Sequence, residues 1–226
     1  MTKISAPRAT GPQTSHYFNA HPRNATTASG SANESAARFS VRAAGRTLEF
    51  ATAPGVFSRS GLDDGSRLLL ATAGPAIEAL PAGACCCDLG CGWGPVGCFL
   101  ATLAPHLRVS LVDINFSAVQ LARNNYLHNG LTNVDAWCGD GLSAARDKVF
   151  DAVLCNPPVR AGNRVIAQLF DDAYRCVRSG GSLWVVLRTA QGAKSWERRL
   201  HDSWGNCTTM AIDKGYRILR SDKGTA

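Results

Sequence analysis

Four short stretches of this 226-residue chain carry residue types that could do chemistry, and each closes an apolar run. The least expected is Asn156-Pro157-Pro158, which follows the apolar segment Phe150–Cys155 directly. Proline removes a backbone donor and fixes φ, so a buried strand cannot continue through the pair. The residue before a proline is itself pushed toward an extended conformation. The corner therefore holds the Asn156 amide and the neighbouring carbonyls at the end of a strand. Two fixed acceptors there suit the two N–H hydrogens of an exocyclic amino group. A conjugated amine is a poor nucleophile, because its lone pair is delocalised. Holding it pyramidal, close and in line with an electrophile is the help it needs.

The other three stretches lie earlier in the chain. Asp88-Leu-Gly90-Cys91-Gly92-Trp93-Gly94-Pro95 is a glycine-rich turn that lets backbone approach a ligand closely. Such a loop alone is weak support for any one cofactor, since dinucleotide-binding proteins carry one too. Asp113, 23 residues after Gly90, can accept hydrogen bonds from the two hydroxyls of a ribose. Asp140, in Cys138-Gly-Asp-Gly141, can accept from an adenine amino group. Any one of these carboxylates is equally readable as a turn or cap residue. Their recurrence at successive strand ends is what gives them weight, because open α/β sheets bind ligands outside the carboxyl ends of their strands.

The elements that must position these residues follow from the hydrophobic pattern. Short apolar strands are predicted at 84–90, 108–115, 134–140, 150–156 and 182–189, with helices at 95–104, 117–130, 165–181 and 194–205. Ser117 is the expected N-cap of the second of these helices, with Gly130 past its end, and Gly180 and Gly181 are expected to close the third. A short helix carrying Leu68, Leu69 and Leu70, with an Asp cap, precedes them. Near-continuous apolar strands alternating with helices predict an α/β fold with a mostly parallel sheet covered on both faces. Residues 207–212 and 216–221 read as a closing hairpin, and alternation on either side of Ala43-Ala44-Gly45-Arg46 as an N-terminal β-hairpin. Residues 1–36, rich in Ala, Ser, Thr, Asn and Pro, are expected to be mostly flexible, leaving 37–226 as the domain.

Composition narrows the classes further. No stretch is apolar enough to span a membrane or to serve as a signal core, so a cytoplasmic protein is expected. Nine cysteines form no paired C-x-x-C knuckles, and Cys85, Cys86 and Cys87 fall in a strand pattern where cysteine packs as a small hydrophobe. Charge is uneven within the net +7. Residues 1–60 hold seven Lys/Arg against two acids, 61–150 five against eight, and 151–226 twelve against seven. Basic ends around an acidic centre suit a polyanion held across the mouth of a site, although a solvated arginine-rich surface gives the same count.

Taken together, DLGCGWGPVG, VDIN, GDG and NPPVR resemble the class I S-adenosylmethionine-dependent methyltransferases that act on amino groups. HYF at 16–18, GVFS at 55–58, LDDGSRLLL at 62–70 and NPPVRAG at 156–162 are similar to the family that methylates guanine N2 in small-subunit ribosomal RNA, in its short form with one catalytic domain. The resemblance implies a Rossmann-like, seven-stranded, mostly parallel sheet and S-adenosylmethionine as cofactor. It implies that Asp88, Gly90, Cys91, Gly92 and Gly94 hold the methionine half of the cofactor, Asp113 the ribose and Asp140 the adenine. Phe57 would help wall the cofactor cleft. Asn156, Pro157 and Pro158 would form the catalytic corner, and Val159 and Arg160 would meet the substrate. No metal is needed for such a transfer. Family members often carry an aromatic residue where this chain has Val159, and Phe18, Phe57 or Trp93 could take its place against a base. Ribosomal RNA or the small ribosomal subunit is the implied partner, with no membrane association and the oligomeric state open. A protein glutamine amide, a small-molecule amine, a non-catalytic RNA-binding module and a nicotinamide-dependent dehydrogenase are the competing readings.

Overall fold

The computed structural model describes residues 38–52 and 61–225. The expected flexible segment, the HYF and GVFS stretches, and Phe18 and Phe57 lie outside the described residues. The chain opens with β1 (Arg38–Ala43) and β2 (Arg46–Ala51), an antiparallel hairpin turned by Ala44 and Gly45, both at positive φ. Then come α1 (Asp64–Glu78), β3 (Cys85–Leu89), α2 (Pro95–Leu103), β4 (Arg108–Asp113), α3 (Phe116–His128) and β5 (Val134–Cys138). The second half runs β6 (Phe150–Cys155), α4 (Asn163–Cys176), β7 (Val177–Arg188), α5 (Ala193–Trp204), β8 (Thr208–Asp213) and β9 (Tyr216–Asp222).

Seven strands form one sheet in the order β5-β4-β3-β6-β7-β9-β8. β3 to β7 pair in parallel, and β9 and β8 close the far edge antiparallel. Successive strand residues point to opposite faces, and here both faces are covered. Cys86, Leu111, Leu154 and Trp184 join the core beneath α1, α2, α3 and the hairpin. Cys87, Val112, Val153 and Val185 join the core beneath α4 and α5. This double burial explains why the central strands read as unbroken apolar runs. The cysteines expected to pack do so: Cys86 and Cys87 are fully buried, and burial pushes the Cys86 thiol up to about 12, which keeps it protonated and inert. Among the described residues no helix is long and apolar enough to cross a membrane.

Three element boundaries differ from the sequence reading. α1 is no short helix; it runs 15 residues, through Gly74 and Pro75, because Leu69, Leu70, Ala73 and Ile77 form one buried stripe. The N-cap of α3 is Asn115, not Ser117: the Asn115 side chain accepts from the Ser117 amide at 3.0 Å. α4 ends at Cys176, and Gly180 and Gly181 lie within β7 rather than closing the helix. Val177, buried and extended, already pairs with Phe150. The next registered pair is Ala152 with Ser182, so the glycines occupy a bulge of extra residues.

The hairpin is clipped to the domain by two asparagines one turn apart, Asn125 within α3 and Asn129 capping its end. Asn125, fully buried, accepts from the Ala51 amide at 2.9 Å and donates to the carbonyls of Ala51 at 3.0 Å and Trp93 at 2.9 Å. Asn129 repeats the pattern on Glu49, at 3.0 and 2.7 Å. The pair acts as a substitute strand for β2, while the ring edges of Phe39 and Phe50 pack on Trp93. Replacing Asn125 by Leu removes its hydrogen bonds to the buried Ala51 backbone and to the Trp93 carbonyl. We expect a loss of about 2–4 kcal/mol in urea unfolding, with protease cleavage appearing first in the hairpin.

Candidate functional site

Strand order places the site. From β3 the chain steps outward to β4 and β5, then returns to the other side of β3 with β6 and β7, so β3 and β6 flank the topological switch point. Parallel registers bring four strand ends to one level. Leu89 pairs with Val112 and with Cys155, and Asp113 pairs with Cys138. Asp88, the Gly90–Gly94 turn, Asp113 and Asn156 therefore meet along one edge, as expected, and Asp140 follows two residues after the end of β5.

The turn after β3 is built from backbone. Gly90, Gly92 and Gly94 all have positive φ, which side-chain-bearing residues rarely adopt. Gly90 and Cys91 donate to the Val112 carbonyl at 2.8 and 2.9 Å, tying the turn to β4. Gly94 caps α2 with Pro95 in its first turn. Gly97, the last residue of the DLGCGWGPVG stretch, completes a Gly94-x-x-Gly97 step into the helix, a spacing the sequence reading did not credit to this motif. A Cβ on Gly97 would meet Leu111 at 1.9 Å, so only glycine lets α2 lie this close to β4. Gly97 N–H donates to Asp88 at 2.8 Å. Cys91 is buried in the turn, and burial holds its thiol well above the usual range.

The acids differ in kind. Asp88 is buried, and burial pushes its carboxyl up to about 7. The Gly97 hydrogen bond pulls the other way, and the negative charge of Asp113 adds a further upward push. Asp113 is half-buried; its Oδ2 accepts from Gly92 N–H at 2.9 Å and its Oδ1 from Asn115 N–H at 2.8 Å. Each oxygen keeps lone-pair capacity for a further donor. Asp140 is exposed and its carboxylate has no partner among the described residues. Ile114 and Phe116, which the sequence reading did not single out, are 46 % and 63 % exposed beside Asp113, an apolar surface next to the acids.

At the β6 end, Pro157 is buried and its carbonyl accepts no hydrogen bond among the described residues. The corner continues through Pro158 into one 3₁₀ turn, Val159–Ala161, closed by Ala161 N–H to the Pro158 carbonyl at 2.8 Å. Val159 packs against the α4–α5 core, and Arg160 is exposed with no partner among the described residues. The Asn156 carbonyl lies 3.9 Å from where a Gly90 Cβ would sit, so corner and turn are in van der Waals reach. The Asn156 amide donates through Nδ2 to Ser66 Oγ at 3.0 Å and faces the Asp63 carboxylate at 3.4 and 3.5 Å. The start of α1 is thus the third wall; residues 62–66 entered the sequence reading as a helix cap and as part of the family resemblance, with no site role given to them. Trp93 does not take the place of the missing aromatic: it is 2 % exposed, inside the hairpin core.

One side of the rim carries more basic residues than acids, although Asp64, paired with Lys214 at 3.4 Å, and Asp213 are exposed there too. Arg160 and Arg164 follow β6, Arg188 and Lys194 follow β7, and Lys214 turns β8 into β9, all exposed and all on the side away from β4 and β5. Arg188 stacks over the Tyr216 ring at 4.6 Å and donates to its hydroxyl at 2.7 Å. A cleft of about 910 Å³ lined by Arg108, Ser110, Asp135, Trp137 and Arg146 lies at the β5 edge, and none of the candidate residues borders it.

Residues 47–220 match the family model described as the methyltransferase small domain. Protein YbxB of Bacillus subtilis, which carries no assigned activity in its name, is 31 % identical over 92 % of this chain and 98 % of that protein. Ribosomal RNA small subunit methyltransferase C of Klebsiella pneumoniae is 36 % identical over 77 % of this chain and 49 % of that protein. Ribosomal RNA large subunit methyltransferase G of the same species is 34 % identical over 74 % and 44 %. A T. thermophilus 16S rRNA N2 G1207 methyltransferase, solved with AdoMet and guanosine, superposes with a TM-score of 0.74 at 26 % identity, covering 83 % of this chain and 50 % of that one. The chain thus spans about half the length of these ribosomal RNA methyltransferases.

The raised Asp88 pKa has a direction that can be checked. The folded value lies above the unfolded one, so folding is disfavoured as pH rises through the interval between them, from about 4 to about 7. Asp88→Asn removes that penalty while keeping an acceptor for Gly97. The thermal midpoint of the variant should pull ahead of wild type as pH is raised from 5 to 7 and the gap should then stay constant.

Proposed function

Since this chain belongs to the methyltransferase small domain family, we propose that it transfers a methyl group from S-adenosylmethionine to an exocyclic amine, and that the amine is guanine N2 of small-subunit ribosomal RNA. One observation carries the reading: the pairing of Leu89 with Cys155 puts the Asn156-Pro157-Pro158 corner beside the glycine turn, with the Asn156 carbonyl 3.9 Å from where a Gly90 Cβ would sit. The acceptor pair for an amine and the cradle for a cofactor therefore share one edge of the sheet.

The residues present suit S-adenosylmethionine. Gly90 and Gly92 leave open the space that a Cβ would fill toward the cleft, with no atom closer than 3.9 Å. Asp88, Gly90, Cys91, Gly92 and Gly94 are assigned to the methionine half. The two oxygens of Asp113 are assigned to the ribose, the free carboxylate of Asp140 to the adenine amino group, and Ile114 to the adenine face. Phe57 keeps its assignment as a cleft wall, on the family pattern. The bound cofactor supplies an activated methyl group. The protein binds the amine and aims it. Asn156 Oδ1 and the Pro157 carbonyl accept one N–H each, which turns the nitrogen lone pair away from the acceptors. Pro158 holds the corner, and Val159 offers apolar contact.

RNA as acceptor is supported by the basic rim. Arg160, Arg164, Arg188 and Lys194 are arranged to meet phosphates, which position a nucleic acid without reading its sequence. Guanine N2 is supported by the T. thermophilus structural relative, and ribosomal RNA by relatives acting on each subunit.

The test is methyl-labelled S-adenosylmethionine with small-subunit RNA, large-subunit RNA, assembled small subunits and total protein in separate reactions. We expect label in small-subunit RNA, recovered as N2-methylguanine, and a fall of roughly 10²–10³-fold in kcat for Asn156→Ala. Label in large-subunit RNA would overturn the choice of subunit. Label in a glutamine side chain would replace RNA by a protein amide.

A further inference from the structure

We infer that Asp63 and Ser66 set the orientation of the Asn156 amide, so that its carbonyl oxygen, not its NH2 group, faces the reacting amine. The identity of that amine rests on the proposed function; the orientation of the amide does not.

The two ends of an Asn side chain are nearly equal in size and differ only in hydrogen bonding: the oxygen accepts, and the nitrogen donates twice. Rotation about the last torsion exchanges them at small steric cost. An amide clamp works in one orientation only. With the oxygen outward it accepts an N–H from the substrate; with the NH2 outward it sets donor against donor. Something must therefore choose.

Ser66 alone would not choose. Its Oγ lies 3.0 Å from Asn156 Nδ2, a good hydrogen bond, but a hydroxyl can accept from an amide nitrogen or donate to an amide oxygen. Asp63 breaks the tie. An ionised carboxylate has no hydrogen to donate, and both of its oxygens face the same Nδ2, at 3.5 and 3.4 Å. These distances are long for single hydrogen bonds, so the contribution is charge against amide dipole, with Ser66 supplying the short bond. A flipped amide would put its oxygen against a carboxylate.

Asp63 is itself held. Its Oδ1 accepts from the Ser66 amide at 3.1 Å as N-cap of α1. The Tyr216 ring lies 2.8 Å from where a Gly65 Cβ would sit, and Lys214 pairs with Asp64 at 3.4 Å, so the β8–β9 end fixes the first turn of the helix. Capping alone does not require Asp, because Asn and Ser cap about as well. Asp63 and Ser66 touch no reacting atom in this scheme and act as positioning residues.

That equivalence supplies the test. Asp63→Asn retains the cap but restores a donor, so Asn156 finds a partner in either orientation. We expect the thermal midpoint and the Kd for S-adenosylmethionine to stay at wild-type values while kcat falls roughly tenfold. Ser66→Ala should lower kcat by a smaller factor with the same unchanged cofactor affinity. In ¹⁵N spectra the Asn156 side-chain NH2 pair, assigned with Asn156→Ala, should shift and exchange faster with solvent in Asp63→Asn. Asp63→Asn with kcat within twofold of wild type, or with an unmoved Asn156 pair, would overturn the inference. A wild-type protein that methylates no RNA, with the Asn156 pair still displaced in Asp63→Asn, would sink the substrate reading and leave the latch standing.

Discussion

The site hangs on the side-by-side parallel pairing of β3 with β6. Leu89 opposite Cys155 puts the glycine turn next to the Asn156 corner, and Leu89 opposite Val112 brings Asp113 to the same level. Strands buried on both faces have little freedom to slip, because a shift of one residue would exchange the faces of every side chain. Under such a slip Cys86 and Leu154 would leave one core for the other, and Asp88 would turn away from Gly97. Hydrophobic burial over the whole sheet thus fixes the spacing between cofactor turn and amine corner more firmly than local contacts could. The nearness of the two, with the Asn156 carbonyl 3.9 Å from where a Gly90 Cβ would sit, is a consequence of that register.

Around this frame the chain accepts costs that a packing argument alone would not predict. Asp88 is buried where a neutral residue would be more stable, and two further acids crowd the same edge. The double proline ends a central strand that could otherwise have continued. Local rules are broken most often where function concentrates. Compensation comes from satisfied polar contacts: Gly97 for Asp88, Gly92 and Asn115 for Asp113, and Asn125 for the backbone of Ala51 and Trp93. Asn125 joins hairpin, helix and glycine turn in one buried, fully bonded group, so that the turn is braced from behind by an element far from it in sequence.

What could be read in the sequence was whatever has a local signature. The strand and helix periods, the glycine turn, the strand-end acids and the Asn-Pro-Pro corner all sit within windows of a few residues, and the sheet assembles them as expected. Relations across long separations left no such trace. Asn125 bonds across 74 residues and Asn156 across 90 and 93, and an Asn in a helix or an Asp before one looks the same with or without such partners. Ser117 has the chemistry of a cap, but so has Asn115 two residues earlier, and local sequence does not choose between them. Gly180 and Gly181 have the look of a helix stop, yet the β-branched, buried Val177 had already committed the chain to strand. Trp93 sits in a ligand-binding turn and suggested a base platform, but its neighbours in space, Phe39 and Phe50, come from a hairpin some 40 residues away.

The most direct test is a crystal structure of the protein with S-adenosylhomocysteine and guanosine bound. The account predicts the guanine N2 nitrogen within hydrogen-bond distance of Asn156 Oδ1 and the Pro157 carbonyl, roughly 2.7–3.2 Å, with Asn156 Nδ2 still on Ser66 and Asp63. A nucleoside bound elsewhere, or an Asn156 amide turned with its NH2 toward the guanine, would contradict it.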